Sequence, residues 1–178
     1  MKQRPYVSSQ DSSLLREAIR GRSGGSSLEI GTGNAGGLIE LAKGYDTAVG
    51  TDLVAPEAVD WKRGRGSFVL ADAASCFRDD CFDLVVFNPP YLPSRTIEDP
   101  AVDGGVGGIE VPLHFLREAF RVVKRDGKIL MLLSNDNPTK EVERECSSRG
   151  FKLTRVAEKK LFFEELYVFE VASGSPGD

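Results

Sequence analysis

The chain has 178 residues, 40% of them hydrophobic and 28% charged, with a formal net charge of −4. That length is most economically one domain spanning 1–178 and is enough to bury a proper core. No apolar run is long enough to cross a bilayer, the amino terminus has no apolar signal core, and the acidic balance argues against a broad nucleic-acid-binding surface.

Cys76, Cys81 and Cys146 form no C-x-x-C pair, and His114 is the only histidine. A zinc or Ser-His-Asp site is therefore poorly supplied, no metal is expected, and free thiols suit a reducing, cytoplasmic setting.

In chain order, residues 1–27 read as an amino-terminal arm and helix. Asp11 and Ser12 look like the cap of a short amphipathic helix carrying Leu14, Leu15, Ala18 and Ile19. Lys2, Arg4, Arg16, Arg20 and Arg22 against Asp11 and Glu17 make this arm locally positive, which reads as a solvated helix face. Gly21 to Ser27 reads as a glycine- and serine-rich break. A brief strand at 28–30, a glycine loop and a helix to about Lys43 follow, then a strand at 47–51 ending at Asp52. Pro56 suits the first turn of a helix running to about Trp61, which would pack at its end. Strands are expected at 67–70 and 82–87, then a long loop from Leu92 to Glu110 rich in glycine and proline. Pro112 starts a helix with Leu113, Leu116, Ala119, Phe120 and Val123 on one face, closed by Asp126-Gly127; His114 on it reads as structural. A strand at 128–133 and a helix opened by Asn137-Pro138 come next. Strands at 153–157 and 161–171, joined by a turn at 158–160, complete the set, and 173–178 reads as a disordered tail. The alternation predicts an α/β fold: a mainly parallel seven-stranded sheet with helices on both faces, closed at one edge by an antiparallel pair.

Gly31-x-Gly33-x-x-Gly36 lies between a strand and a helix, and Asp52 follows after the next strand. Glycines let a backbone approach a ligand, and an acid at the second strand's end can accept both ribose hydroxyls. Glu29, two residues before the first glycine, would repel a pyrophosphate and favour an ammonium group. The ligand it suits is S-adenosylmethionine, whose tail is an amino acid, in preference to NAD. Asp72, at the third strand's end, is placed to accept the adenine amine. The apolar run from Phe82 to Phe87 stops at Asn88, and Pro89-Pro90 forbids further strand pairing. The result is a stiff hook with one amide side chain and free carbonyls at the sheet's carboxyl edge, where ligands of open α/β sheets sit.

Leu28-Glu29-Ile30-Gly31-Thr32-Gly33, Thr51-Asp52, Ala71-Asp72 and Asn88-Pro89-Pro90-Tyr91 resemble the ordered motifs of the class I S-adenosylmethionine-dependent methyltransferases. Within them the chain is similar to the HemK-like protein-glutamine methyltransferases of the short archaeal and eukaryotic type. The similarity runs nearly the whole length, including Asp103-Gly104-Gly105, Gly107 to Glu110, and Tyr6 with Asp11-Ser12. It implies a Rossmann-like class I fold and cofactor contacts from Asp11 and Ser12 in the arm and from Glu29, Gly31, Thr32 and Gly33 at the first strand. Further contacts are implied from Asp52 with Leu53, from Asp72 with Ala73, and from Asn88. It implies catalysis by Asn88, Pro89, Pro90 and Tyr91, with Tyr91 packed on the flat face of the substrate. The chain departs from the family where Ala35 replaces the usual third glycine of the loop, and where Val7 to Gln10 replace acidic and proline residues.

The implied substrate is the glutamine of the Gly-Gly-Gln loop in a class I translation termination factor. Relatives of the short type often work with a small zinc-binding activator, for which Phe68-Val69-Leu70 is the exposed-edge candidate. The same hook serves adenine-N6 and guanine-N2 methylation of nucleic acid, and lysine methylation is compatible with it. A non-enzymatic cofactor-binding module and an NAD-dependent oxidoreductase are weaker alternatives, opposed by the intact hook and by Glu29.

Overall fold

The computed structural model describes residues 10–56, 66–96, 98–99, 102–135, 137–162 and 164–174, with backbone alone at 10 and 11. Along the chain run α1 (Gln10–Ile19), β1 (Gly24–Ile30), α2 (Gly36–Gly44), β2 (Tyr45–Asp52), β3 (Gly66–Leu70) and β4 (Phe82–Phe87). After a 3-10 turn at Val106–Gly108 come α3 (Glu110–Val122), β5 (Val123–Ser134), α4 (Thr139–Ser148), β6 (Phe151–Lys160) and β7 (Glu165–Ser173). The strands form one seven-stranded sheet in the order β3-β2-β1-β4-β5-β7-β6. Strands β3 to β5 are mutually parallel, and β7 runs antiparallel to both β5 and β6.

Period-two alternation divides the central strands between two cores. Leu28, Ile30, Val85, Phe87, Ile129 and Met131 face α3 and α4 through Leu116, Ala119, Val122 and Val142. On the other face, Leu84, Val86, Leu130 and Leu132 meet α1 and α2 through Leu14, Leu15, Leu38 and Leu41. Val85, Val86 and Phe87 are wholly buried, so the strand that carries the hook is rigidly seated. Cys146 is buried in the first of these cores, which pushes its thiol up to about 11 and leaves it unreactive. Among the described residues, no helix is long and apolar enough to cross a membrane.

Several boundaries differ from the expected ones. The glycine- and serine-rich break is half strand, because β1 begins at Gly24. Its polar atoms are satisfied sideways: Asp83 accepts from the Ser26 N–H at 2.7 Å and from its hydroxyl at 3.1 Å, while the Ser27 hydroxyl donates to the Thr47 carbonyl. Asp126-Gly127 does not end a helix. It lies inside β5, where the register with β4 jumps from Phe82↔Val123 to Leu84↔Lys128. Strand β6 runs on to Lys160, so the connection to β7 begins later than expected, and beyond it the Leu161 N–H donates to the Glu164 carbonyl at 2.8 Å. Asp11 and Ser12 sit inside the first turn of α1 and not ahead of it. Ser173 ends β7; the rest of the expected tail, the helix after Pro56 with Trp61, and Tyr6 lie largely or wholly outside the described residues.

Candidate active site

Adjacent strands β1 and β4 lead to helices on opposite faces of the sheet, since α2 packs in one core and α3 in the other. The chain therefore diverges beyond Ile30 and Phe87 and opens a crevice there, the position a topological switch point gives to ligands. Register aligns the strand ends along one edge: Ile30 pairs with Thr51 and Phe87, and Asp52 pairs with Leu70. Three inter-strand steps of about 4.8 Å span roughly 14 Å from β3 to β4. A cavity of about 280 Å³ lies over this edge.

The cavity gathers nearly every residue singled out in the sequence. Ser12, Glu29, Gly31, Thr32, Gly33, Asp52, Leu53, Asp72, Ala73, Asn88, Pro89, Pro90 and Tyr91 all line it; the side chain of Asp11 lies outside the described residues. The glycine loop is stitched to β2 by the Gly31 and Thr32 N–H groups, which donate to the Thr51 carbonyl at 2.8 and 3.0 Å. Asp52 steadies the loop further: its Oδ2 accepts from the Gly33 N–H at 2.9 Å and its Oδ1 from the Val54 N–H at 3.1 Å. Each oxygen keeps acceptor capacity for a ligand hydroxyl. Ala35, standing where the family has glycine, adopts the left-handed conformation (φ 61°) just before α2. The backbone thus takes the form a glycine would give it, at a cost of about 1 kcal/mol.

Glu29 holds the loop before it meets any ligand. Its Oε2 accepts from the Leu38 N–H at 2.6 Å, and a side chain at Gly37 would collide with its carboxyl. Burial raises its pKa, from 4.5 to about 8, against the lowering effect of the Leu38 amide. Asp72 is largely exposed, and its Oδ1 lies 3.2 Å from His114 Nε2. His114, read from the sequence as structural, is thus a partner of a site carboxylate. Two further residues were missed. Arg16, assigned to a solvated face, lines the cavity from α1, and Phe115 covers Gly31 from α3. For Arg16 the sequence offers no signal separating it from Arg20, one helical turn away.

Among the described residues, the ionisable side chains lining the cavity are Glu29, Asp52, Asp72, Asp99 and Arg16. With Glu29 held protonated near neutral pH by its burial, three further acids against one base favour a cationic ligand and oppose a pyrophosphate.

At the hook, Pro89 is buried and Pro90 and Tyr91 are half-buried, with part of Tyr91 packed on the α1–α2 core. The long loop folds back over it: the Leu92 N–H donates to the Val102 carbonyl at 3.0 Å and the Gly104 N–H to the Leu92 carbonyl at 2.8 Å. Gly104 and Gly108 make this approach feasible, since a Cβ on Gly104 would lie 2.8 Å from Tyr91 Cα and one on Gly108 would strike the Tyr91 carbonyl. Asn88 Oδ1 is buried yet accepts no hydrogen bond from any described residue. A buried acceptor without a partner costs about 1–3 kcal/mol, and Asn88 Oδ1 is therefore available to a donor that enters the cavity.

No family model matches the chain. A chain of Methanocaldococcus jannaschii named as a protein N5-glutamine methyltransferase is 34% identical over 92% of this chain and 89% of its own. A release factor glutamine methyltransferase of Caulobacter vibrioides is 32% identical over 54% of this chain, which spans 34% of that longer protein. Among solved structures, that of the E. cuniculi Mtq2–Trm112 complex, responsible for methylation of the eRF1 translation termination factor, superposes with a TM-score of 0.79 at 28% identity. The match covers 95% of this chain and 98% of that one. The fold is the Rossmann-like fold of class I methyltransferases, and the chain belongs to the protein N5-glutamine methyltransferases.

Proposed function

We propose that the chain transfers a methyl group from S-adenosylmethionine to the side-chain nitrogen of a glutamine in a class I translation termination factor. The orphaned, buried Asn88 Oδ1 at the cavity floor carries this reading. A primary amide is a poor nucleophile because its nitrogen lone pair is delocalised. Accepting one N–H at Asn88 Oδ1 and the other at the Pro89 carbonyl turns that lone pair toward the methyl donor. The same two acceptors stabilise the positive charge that develops on nitrogen as the N–C bond forms. The extra proton stays against these oxygens until it passes to water, so no base of tuned pKa is needed. Tyr91 flanks the planar amide, and the two prolines hold the carbonyls without freedom at φ.

The cofactor fits the groups present. Asp52 retains acceptor sites for two ribose hydroxyls, and of the other acids lining the cavity we read Asp72 as the acceptor for the adenine amine and Glu29 as the partner of the amino acid's ammonium. Bound there, the donor would supply an electrophilic methyl carbon whose bond to sulfur breaks as the N–C bond forms, the electron pair staying on sulfur as a neutral thioether. The acid-lined cavity suits the sulfonium's positive charge. The chain's own residues bind, orient and exclude water. A cytoplasmic setting follows from such a substrate.

A small activator subunit, of the zinc-binding kind the resemblance implies, is proposed to cover the β3 edge. Strand β3 terminates the sheet on that side, and Leu70 is 66% exposed next to the exposed Leu53 and Val54. Of the expected edge run, Phe68 and Val69 are half-buried and Leu70 alone is open. The cofactor assignment is tested by calorimetric titration of the purified chain with S-adenosylmethionine and with NAD. Binding of the former and none of the latter is expected; tighter binding of NAD would overturn the assignment.

A further inference from the structure

Asn137 lies between β5 and α4, outside the cavity, and is only 6% exposed. Its amide is fully used. Oδ1 accepts from the Ser134 N–H at 2.8 Å, and Nδ2 donates to the carbonyls of Tyr91 and Gly108, each at 3.3 Å. An asparagine offers two N–H donors and a carbonyl acceptor, and these three partners call for that set in that orientation. Aspartate has no donor for the two carbonyls, and glutamine is a methylene longer. The residue is itself anchored: its N–H donates to the Ser134 carbonyl at 3.1 Å and its carbonyl accepts from the Thr139 N–H at 2.8 Å. Ser134 ends β5, whose Met131 pairs with Phe87 immediately before the hook.

The two carbonyls belong to different segments. Tyr91 ends the hook, and Gly108 closes the 3-10 turn of the loop that folds over it. The Tyr91 oxygen lies so close to the Gly108 backbone that Gly108 tolerates no Cβ beside it, and both carbonyl oxygens lie 3.3 Å from the one Asn137 nitrogen. Two carbonyl dipoles brought together inside the protein repel, and one NH₂ group placed on both satisfies each of them.

We propose that Asn137 is a positioning residue for the transfer: its NH₂ group fixes hook and loop against each other and so holds Asn88 and Pro89 at the geometry that accepts the target amide. This rests on the reading of the hook as an amide clamp. A displacement of about 1 Å at such a site can cost about 100-fold in rate.

Asn137→Asp separates the positioning role from a merely structural one. Aspartate keeps the oxygen for the Ser134 N–H and is well suited to a turn before a helix, but it turns an oxygen in place of a donor toward the Tyr91 and Gly108 carbonyls. With the full chain and a purified termination factor, kcat should fall about 10- to 100-fold, while the dissociation constant for S-adenosylmethionine stays within about twofold. Amide hydrogen exchange should accelerate about tenfold or more in peptides covering 88–108 and remain unchanged elsewhere. Asn137→Ala gives up all three bonds without setting an acceptor against the two carbonyls, so the same losses in it exclude the aspartate's own charge as their cause. An unchanged kcat in the aspartate variant, or exchange accelerated across the whole chain, would overturn the assignment. If the unmodified chain transfers no methyl group to the factor, the glutamine reading fails. Exchange then decides for Asn137 by itself: local acceleration supports the clamp and unchanged protection refutes it.

Discussion

Asn88 combines burial with an unused acceptor, and these two properties make opposite demands on stability and on activity. Since Oδ1 receives no hydrogen bond from the described residues, truncation should cost the folded state little. We predict that Asn88→Ala lowers transfer by about 10²- to 10³-fold. Cofactor affinity should stay within a few-fold and the melting temperature should not fall. A collapse of cofactor binding in calorimetry would instead make Asn88 chiefly a cofactor ligand. Asp52→Ala should weaken cofactor binding both directly and by freeing the Gly33 and Val54 amides. An unchanged dissociation constant would remove Asp52 from the site.

Glu29 makes a pH prediction whose sign is opposite to that of most carboxylates. With its pKa raised from 4.5 to about 8, the folded chain keeps a proton that the unfolded chain has lost. Stability contributed by the neutral carboxyl is therefore fully present below about 4.5 and declines as pH rises toward about 8. Urea unfolding of the ligand-free chain at pH 5 and pH 8 should show that decline. Glu29→Gln, which retains an oxygen for the Leu38 N–H but cannot titrate, should flatten it; an equally steep decline in the variant would assign the effect to other groups. Binding a cationic ligand beside Glu29 should release a proton near neutral pH, measurable by calorimetry in buffers of different ionisation enthalpy.

At the scale of elements, the hook is legible in the sequence because proline chemistry is local: Pro89-Pro90 forbids pairing wherever it stands. The glycine loop and the acids at successive strand ends are legible for the same reason, their spacing being set by the lengths of strand and helix. What escaped depends on neighbours distant in the chain. Gly24 to Ser27 looks like a break until Asp83 supplies the hydrogen bonds for Ser26. Asp126-Gly127 looks like a helix stop until β4 draws it into a bulged strand. There a Cβ on Gly127 would lie 2.9 Å from the Phe82 carbonyl, so the glycine serves packing and not a turn. Asn137 reads as a helix start, and only the fold brings Tyr91 and Gly108 to its NH₂ group.

The loop over the hook offers an internal control. Gly107 and Gly108 both have positive φ, 67° and 68°, but a Cβ on Gly107 meets nothing within 4 Å. Gly107→Ala should therefore cost only the backbone strain, about 1 kcal/mol. Gly108→Ala should add a displacement of the loop from the hook, with a fall in transfer well beyond that of Gly107→Ala. Equal activities in the two variants would show that the loop's seat on Tyr91 does not matter to the reaction.

For the whole molecule, the order β3-β2-β1-β4 sets the acids and the hook side by side, and the divergence of α2 and α3 opens the crevice between them. The opposite end of the sheet, closed by β7 and β6, leaves this edge untouched. The β3 edge is where a partner would add to the sheet or cover Leu70. Leu70→Asp should abolish co-purification with a small activator subunit while leaving cofactor binding by the isolated chain intact; retained co-purification would move the interface elsewhere. The central claim is that the hook holds a glutamine amide. It is tested most directly by incubating the chain with isotopically labelled S-adenosylmethionine and a termination factor, then locating the label by mass spectrometry. A single methyl group on the side-chain nitrogen of the Gly-Gly-Gln glutamine, absent with the Asn88→Ala variant, is predicted. Label confined to a lysine of the factor, or found only on DNA or RNA offered in parallel, would contradict it.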